Sequence, residues 1–129
     1  MSKFKLSKAS LANLEGVDLR WHNILKKAIT LTKVDFGIPS TGGFRTYEEQ
    51  RDLFNTGASP CDGLRKRSRH QSGLAVDVFG WVNGKLSYLT AHMTSIATAI
   101  FQAAAILGHR ITWGGLWTSY TDAPHFELI

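Results

Sequence analysis

Hydrophobic and polar positions along this chain follow two different periods. Trp21, Leu25, Ala28, Ile29 and Thr32 recur at three- and four-residue spacing behind Asp18, a capping residue, and predict a helix over Leu19–Leu31. Met93, Ile96, Ala97, Ile100, Ala104 and Leu107 trace one helical face that stops at Gly108, which predicts a longer core helix over Ala91–Leu107. Thr46 with Glu49 three residues on is a capping-box pattern, and Gly57 is a natural stop. Tyr47–Thr56 is therefore predicted helical, with Arg45 just outside its start.

The other period is two. Val34–Ile38 alternates in part and reads as a short strand before the turn residues Pro39, Gly42 and Gly43. In Leu74–Phe79, Leu74, Val76 and Val78 face one way and Ala75, Asp77 and Phe79 the other. Asn83-Gly84 between Trp81-Val82 and Lys85-Leu86 is a type I′ hairpin signal. Strands at Arg110–Trp113 and Pro124–Ile129 complete an antiparallel-leaning sheet covered by about three helices, so the fold class is α+β. Residues 57–73 form an irregular middle.

Composition adds limits. At 129 residues, 43% hydrophobic and 19% charged, the chain is expected to be one domain spanning 1–129 with a real core. The apolar stretch Ala97–Leu107 is broken by Thr98 and Gln102 and is shorter than the roughly 20 residues of a spanning helix, so no membrane insertion is expected. No apolar signal region follows the basic N-terminus, which predicts synthesis in the cytoplasm. Cys61, the only cysteine, excludes an internal disulfide and reads as an incidental loop residue. A net charge of +5 favours a polyanionic partner such as nucleic acid, anionic lipid or cell-wall polymer. The densest basic run, Arg65 to Arg69, lacks the interleaved aromatics of a single-strand platform, so specific nucleic-acid binding is not expected.

Candidate chemistry centres on His70 and Asp77, with His125 on the last predicted strand, where it shares a face with Glu127 opposite Phe126 and Leu128. Two imidazoles and a carboxylate suit Zn²⁺ with a fourth position open, and small Gly73 and Ala75 beside them would leave room for the ion. Spacing alone does not single out this triple among the histidines and acids of the chain. The surrounding residues do more. Residues 68–77 read Ser-x-His-x-x-Gly-x-Ala-x-Asp, Trp113-Gly114-Gly115 precedes Asp122-Ala123-Pro124-His125, and Gly43-Phe44-Arg45-Thr46 has Gln50 downstream. This pattern resembles the M15 zinc metallopeptidases, above all the small phage L-alanyl-D-glutamate peptidase endolysins, from about Leu6 to the end. Ser59–Lys66 is longer than in the shortest phage members, and Leu116 stands where several relatives carry a polar residue.

The resemblance implies a hedgehog-like α+β fold with zinc on the sheet face, held by His70, Asp77 and His125. It implies that Asp122 is the catalytic carboxylate, that Arg45 holds the substrate or its developing oxyanion, and that Ser68 and Gln50 lie near the substrate. Trp113 and Trp117 read either as groove walls or as core. Glu127 reads as a partner behind the ligands, and His22, His92 and His109 as surface or helix-end residues. The implied activity is hydrolysis of the L-alanyl-D-glutamate bond in the peptidoglycan stem peptide of thin Gram-negative walls. The enzyme is expected to be a monomer that needs a holin or membrane damage to leave the host cytoplasm for the periplasm. Three rivals stay open: a D,D-carboxypeptidase or dipeptidase, a non-catalytic module with structural zinc, and a basic nucleic-acid binder.

Overall fold

The computed structural model describes residues 3–129, so Met1 and Ser2 of the basic N-terminus, where the expected domain begins, lie outside the described residues. The first helix, α1 (Lys8–Ala12), is a short one with no forecast in the periodicity, because five residues give too few repeats to read. Ser7 caps it, and buried Ser10 accepts a hydrogen bond from the Ile38 amide at 3.0 Å.

α2 (Leu19–Leu31) starts at Asp18, whose side chain accepts from the Arg20 amide at 2.9 Å. It buries Trp21, Ile24, Leu25, Ala28 and Ile29. α3 (Tyr47–Asn55) carries the complete capping box between Thr46 and Glu49 and stops one residue short of the expectation, with Thr56 as its cap. α4 (Thr90–Leu107) buries Met93, Ile96, Ala97, Ala99, Ile100, Ala103 and Ala104. By length and composition α4 is apolar enough to cross a membrane, although its shorter uninterrupted stretch argued otherwise. Its buried face here packs on α2 and on both sheets.

The expected single sheet is two three-stranded antiparallel sheets. One has β1 (Asp35–Gly37), β3 (Phe79–Val82) and β4 (Lys85–Ser87) in the order β1-β3-β4; the other has β2 (Ala75–Asp77), β5 (Ile111–Trp113) and β6 (His125–Leu128) in the order β2-β6-β5. The strand expected over Leu74–Phe79 therefore divides at Val78. Val78 is fully buried and gives its amide to Pro124, so the chain leaves one sheet and enters the other through the core. Inward Val76 and Val78 alternate with Asp77 as predicted, because both sheets turn their apolar sides to α2 and α4. Asn83 and Gly84 both have positive φ, 53° and 74°, as a type I′ turn requires.

Candidate metal and active site

Local chemistry places each ligand. His70 lies in a 3-10 turn, Arg69–Ser72, whose capping residue Ser68 accepts from the His70 amide at 3.2 Å and donates its own amide to Gln71 Oε1 at 2.9 Å. Asp77 ends β2 and His125 begins β6, and the antiparallel register sets them directly opposite each other. Side chains opposite each other share a face, so residues far apart in sequence meet. Asp77 Oδ1 stands 3.2 Å from His70 Nε2 and 3.3 Å from His125 Nδ1.

Those separations fit an ion. Tetrahedral zinc binds nitrogen and oxygen at about 2.0 Å, which sets neighbouring ligand atoms about 3.3 Å apart. Asp77 Oδ1 is buried and accepts no hydrogen bond, so it is an orphan acceptor with two imidazole nitrogens beside it. The far side of every ligand is already engaged. His70 Nδ1–H donates to the Gly43 carbonyl at 2.9 Å, and His125 Nε2–H donates to Glu127 Oε1 at 2.8 Å. As neutral rings, both imidazoles turn the remaining nitrogen lone pair towards Asp77, the arrangement a metal needs. Arg45 Nη2 donates to Asp77 Oδ2 at 3.1 Å, and Arg69 Nε lies 3.3 Å from Glu127 Oε2.

The ionisation states follow from this packing. Burial opposes the Asp77 carboxylate, yet the imidazoles of His125 and His70 outweigh it and hold the group below the usual carboxylate range. Burial likewise opposes charge on His125, but without an ion the adjoining carboxylates of Asp77 and Glu127 push it up to about 9. Asp122 moves the other way, raised by burial and then by the Asp77 charge.

A groove of about 450 Å³ opens over these groups, and Asp122 lines it together with His70, Asp77 and His125. Asp122 is held by its backbone: its amide donates to the Gly114 carbonyl at 2.9 Å and its carbonyl accepts from the His125 amide at 3.0 Å. A Cβ on Gly114 would sit 2.2 Å from the Asp122 carbonyl oxygen, so only glycine lets this segment dock. That is a physical reason for the Trp-Gly-Gly pattern.

The profile of the phage L-alanyl-D-glutamate peptidase family matches residues 1–129. The chain belongs to this family. It is 28% identical to the L-alanyl-D-glutamate peptidase of Escherichia phage T5, over 92% of this chain and 85% of that one. It is also 29% identical to the peptidoglycan L-alanyl-D-glutamate endopeptidase CwlK of Bacillus subtilis strain 168, over 81% of this chain and 67% of the relative. Among solved structures, the Serratia marcescens L-Ala D-Glu endopeptidase ChiX superposes with a TM-score of 0.84 at 31% identity, covering 98% of this chain and 92% of that one. An L,D-carboxypeptidase, DacB from Streptococcus pneumonia, shares the fold at TM-score 0.53 and 22% identity.

The peptidase thus brings His70, Asp77, His125, Asp122 and Ser68 to one groove, with Trp117 5.2 Å from the His125 ring. Other anticipated residues stand elsewhere. Trp113 is a core residue, stacked on Phe126 with its Nε1–H on the Ala123 carbonyl, because an inward position on β5 faces the helices. Gln50 is fully buried and does not line the groove; its Oε1 accepts from Arg45 Nη1 at 3.0 Å, and its Nε2 donates to Ser59 Oγ and the Cys61 carbonyl. Gly73 makes no room for an ion: it ends the 3-10 turn at φ 70°, and a Cβ there would meet the Gly16 carbonyl. Ala75 is buried opposite Glu127. Gly43 serves the site through its carbonyl, a role that side-chain type does not disclose in the sequence. His22, His92 and His109 stay outside the groove, and the Cys61 thiol is free at its edge.

Proposed function

We propose that this chain is a zinc-dependent endopeptidase that cleaves the L-alanyl-D-glutamate bond of peptidoglycan stem peptides and serves a phage as its lysin. The observation that carries this reading is the converging trio His70, Asp77 and His125, each tautomer or carboxylate oxygen fixed from behind, with Asp122 in the same groove. CwlK, a relative named for peptidoglycan, supports the polymeric substrate. When bound, zinc supplies a Lewis acid for the scissile carbonyl and lowers the pKa of water.

The chain's own residues do the rest. The Asp122 carboxylate takes the proton of the attacking water and returns it to the leaving amine nitrogen, the two-stage duty of a general base and acid. Arg45 keeps its charge at every working pH and holds Asp77 Oδ2, which leaves Oδ1 facing the imidazoles. Glu127 orients His125, and Trp117 covers the ring on the groove side. As a lysin the chain would be made in the host cytoplasm and work as a monomer on the wall once a holin or other membrane damage admits it.

Mass spectrometry of Gram-negative peptidoglycan digests tests the reading. We expect stem peptides with a new N-terminal D-glutamate and N-acetylmuramoyl-L-alanine left on the glycan. Release of D-alanine alone would instead make the enzyme a D,D-carboxypeptidase.

A further inference from the structure

One wall of the groove carries cations that no described acid neutralises. Lys66 and Arg67 line it, both are exposed, and neither has an ion-pair partner among the described residues. The other two arginines at the groove are occupied. Arg45 is buried and turns its guanidinium inward, with Nε on the Thr41 carbonyl, Nη1 on Gln50 and Nη2 on Asp77. Arg69 is drawn to Glu127 and donates to the Leu128 carbonyl at 2.7 Å. Each Arg45 nitrogen is thus already engaged with a protein acceptor.

The segment bearing Lys66 and Arg67 is built rather than loose. Asp62 Oδ1 accepts from the amides of Leu64 and Lys66, each at 2.9 Å, and the Gly63 amide donates back to the Lys66 carbonyl. Gln71, inside the turn that carries His70, donates Nε2–H to the Gly63 carbonyl at 2.9 Å. The cationic wall is therefore hydrogen-bonded to the turn that presents a metal ligand. Such preorganisation lowers the entropic cost of binding.

We propose that Lys66 and Arg67 form a carboxylate-recognition subsite that selects stem peptides whose D-glutamyl α-carboxyl is free over those in which it is amidated. The proposal rests on the peptidase reading above. A D-glutamate linked onward through its γ-carboxyl keeps an α-carboxylate one carbon from the scissile nitrogen. Arg67 can take that group through a planar fork and Lys66 as a point charge, whereas an α-amide offers no charge and one acceptor fewer.

The test uses two synthetic muramyl tripeptides, one with D-glutamate and one with D-isoglutamine at the second position, cleaved by the zinc-loaded enzyme. We expect the free acid to be preferred about tenfold or more in kcat/KM, the scale of one charge-assisted hydrogen bond. In a Lys66→Gln, Arg67→Gln double variant that ratio should fall towards one, mainly through KM for the free acid, with zinc content and near-UV circular dichroism retained. Arg65→Gln removes a charge from an exposed residue that does not line the groove, and should leave the ratio as it is. Equal cleavage of both peptides by the unmodified enzyme overturns the subsite, as does a double variant that keeps the preference. An Arg65→Gln effect as large as the double variant's would reassign the preference to net charge. Cleavage of neither peptide, or of another bond, overturns the peptidase reading and the subsite with it.

Discussion

Asp77 has different work on each carboxylate oxygen: Oδ2 is held by Arg45 at 3.1 Å, and Oδ1 faces two imidazole nitrogens without a hydrogen bond of its own. Glu127 does for His125 what the Gly43 carbonyl does for His70, which makes it a positioning residue for the ligand set. Glu127→Gln should therefore weaken zinc affinity by about ten- to a hundredfold, read by competition with a chromophoric chelator. At saturating zinc most of its turnover should return. Asp122→Asn should do the reverse, keeping zinc while kcat falls by about a hundredfold or more. If the glutamine variant is inactive when fully loaded and the asparagine variant is not, the two carboxylates have exchanged roles.

At the scale of elements, the site hangs on short pieces tied by side chains: a 3-10 turn, a three-residue strand and a four-residue strand. α2 supports them from behind through its start. The Asp18 amide donates to the Gly73 carbonyl at 2.9 Å, next to the turn of His70, while the Asp18 carboxylate caps the helix and pairs with Arg20. Hydrogen bonds from the Arg20 side chain, then from its amide, lower the Asp18 pKa from 3.8 to about 2. A carboxyl depressed on folding stabilises the native state above its unfolded pKa and loses that contribution as pH falls through the folded one. Asp18→Ala should cost about 1 kcal/mol near neutral pH, the usual worth of a cap. The difference between the two proteins should shrink from about pH 4 and vanish towards pH 2, as measured by urea unfolding across that range. A difference that stays constant with pH would mean the carboxylate charge adds nothing to the cap.

For the whole molecule, the ion would bind groups from separate parts of the chain. His70 comes from the turn before β2, Asp77 from β2 and His125 from β6, so one ion would bridge two strands and the turn beside them. Binding to the native state alone raises stability by mass action, about 2.7 kcal/mol when free zinc is about a hundredfold above Kd. The chelator-stripped protein should accordingly melt several degrees lower than the zinc-loaded one, with both keeping helical circular dichroism because α2 and α4 pack without help from the site. Identical melting in chelator and in excess zinc would show that the trio holds no ion.

Local signals were enough wherever one segment decides its own structure. α2, α3 and α4 lie within one residue of their capping and periodicity signals, the Asn83-Gly84 turn has the φ values its residues allow, and the motif residues His70, Asp77, His125 and Asp122 stand in one groove. Even the shared face of His125 and Glu127 was legible, since a strand's period of two is a property of the backbone. What stayed hidden depends on partners distant in sequence. Nothing between Leu74 and Phe79 announces that Val78 passes between sheets, because that depends on whether β6 or β1 pairs with each side of it. Trp113 looks the same in sequence whether it stacks on Phe126 or faces a substrate. Arg45 and Gln50 read alike as substrate contacts, because sequence shows neither their burial nor their partners. The tertiary structure buries both, Gln50 away from the groove and Arg45 in its lining, where bonds to Thr41, Gln50 and Asp77 hold the guanidinium in place.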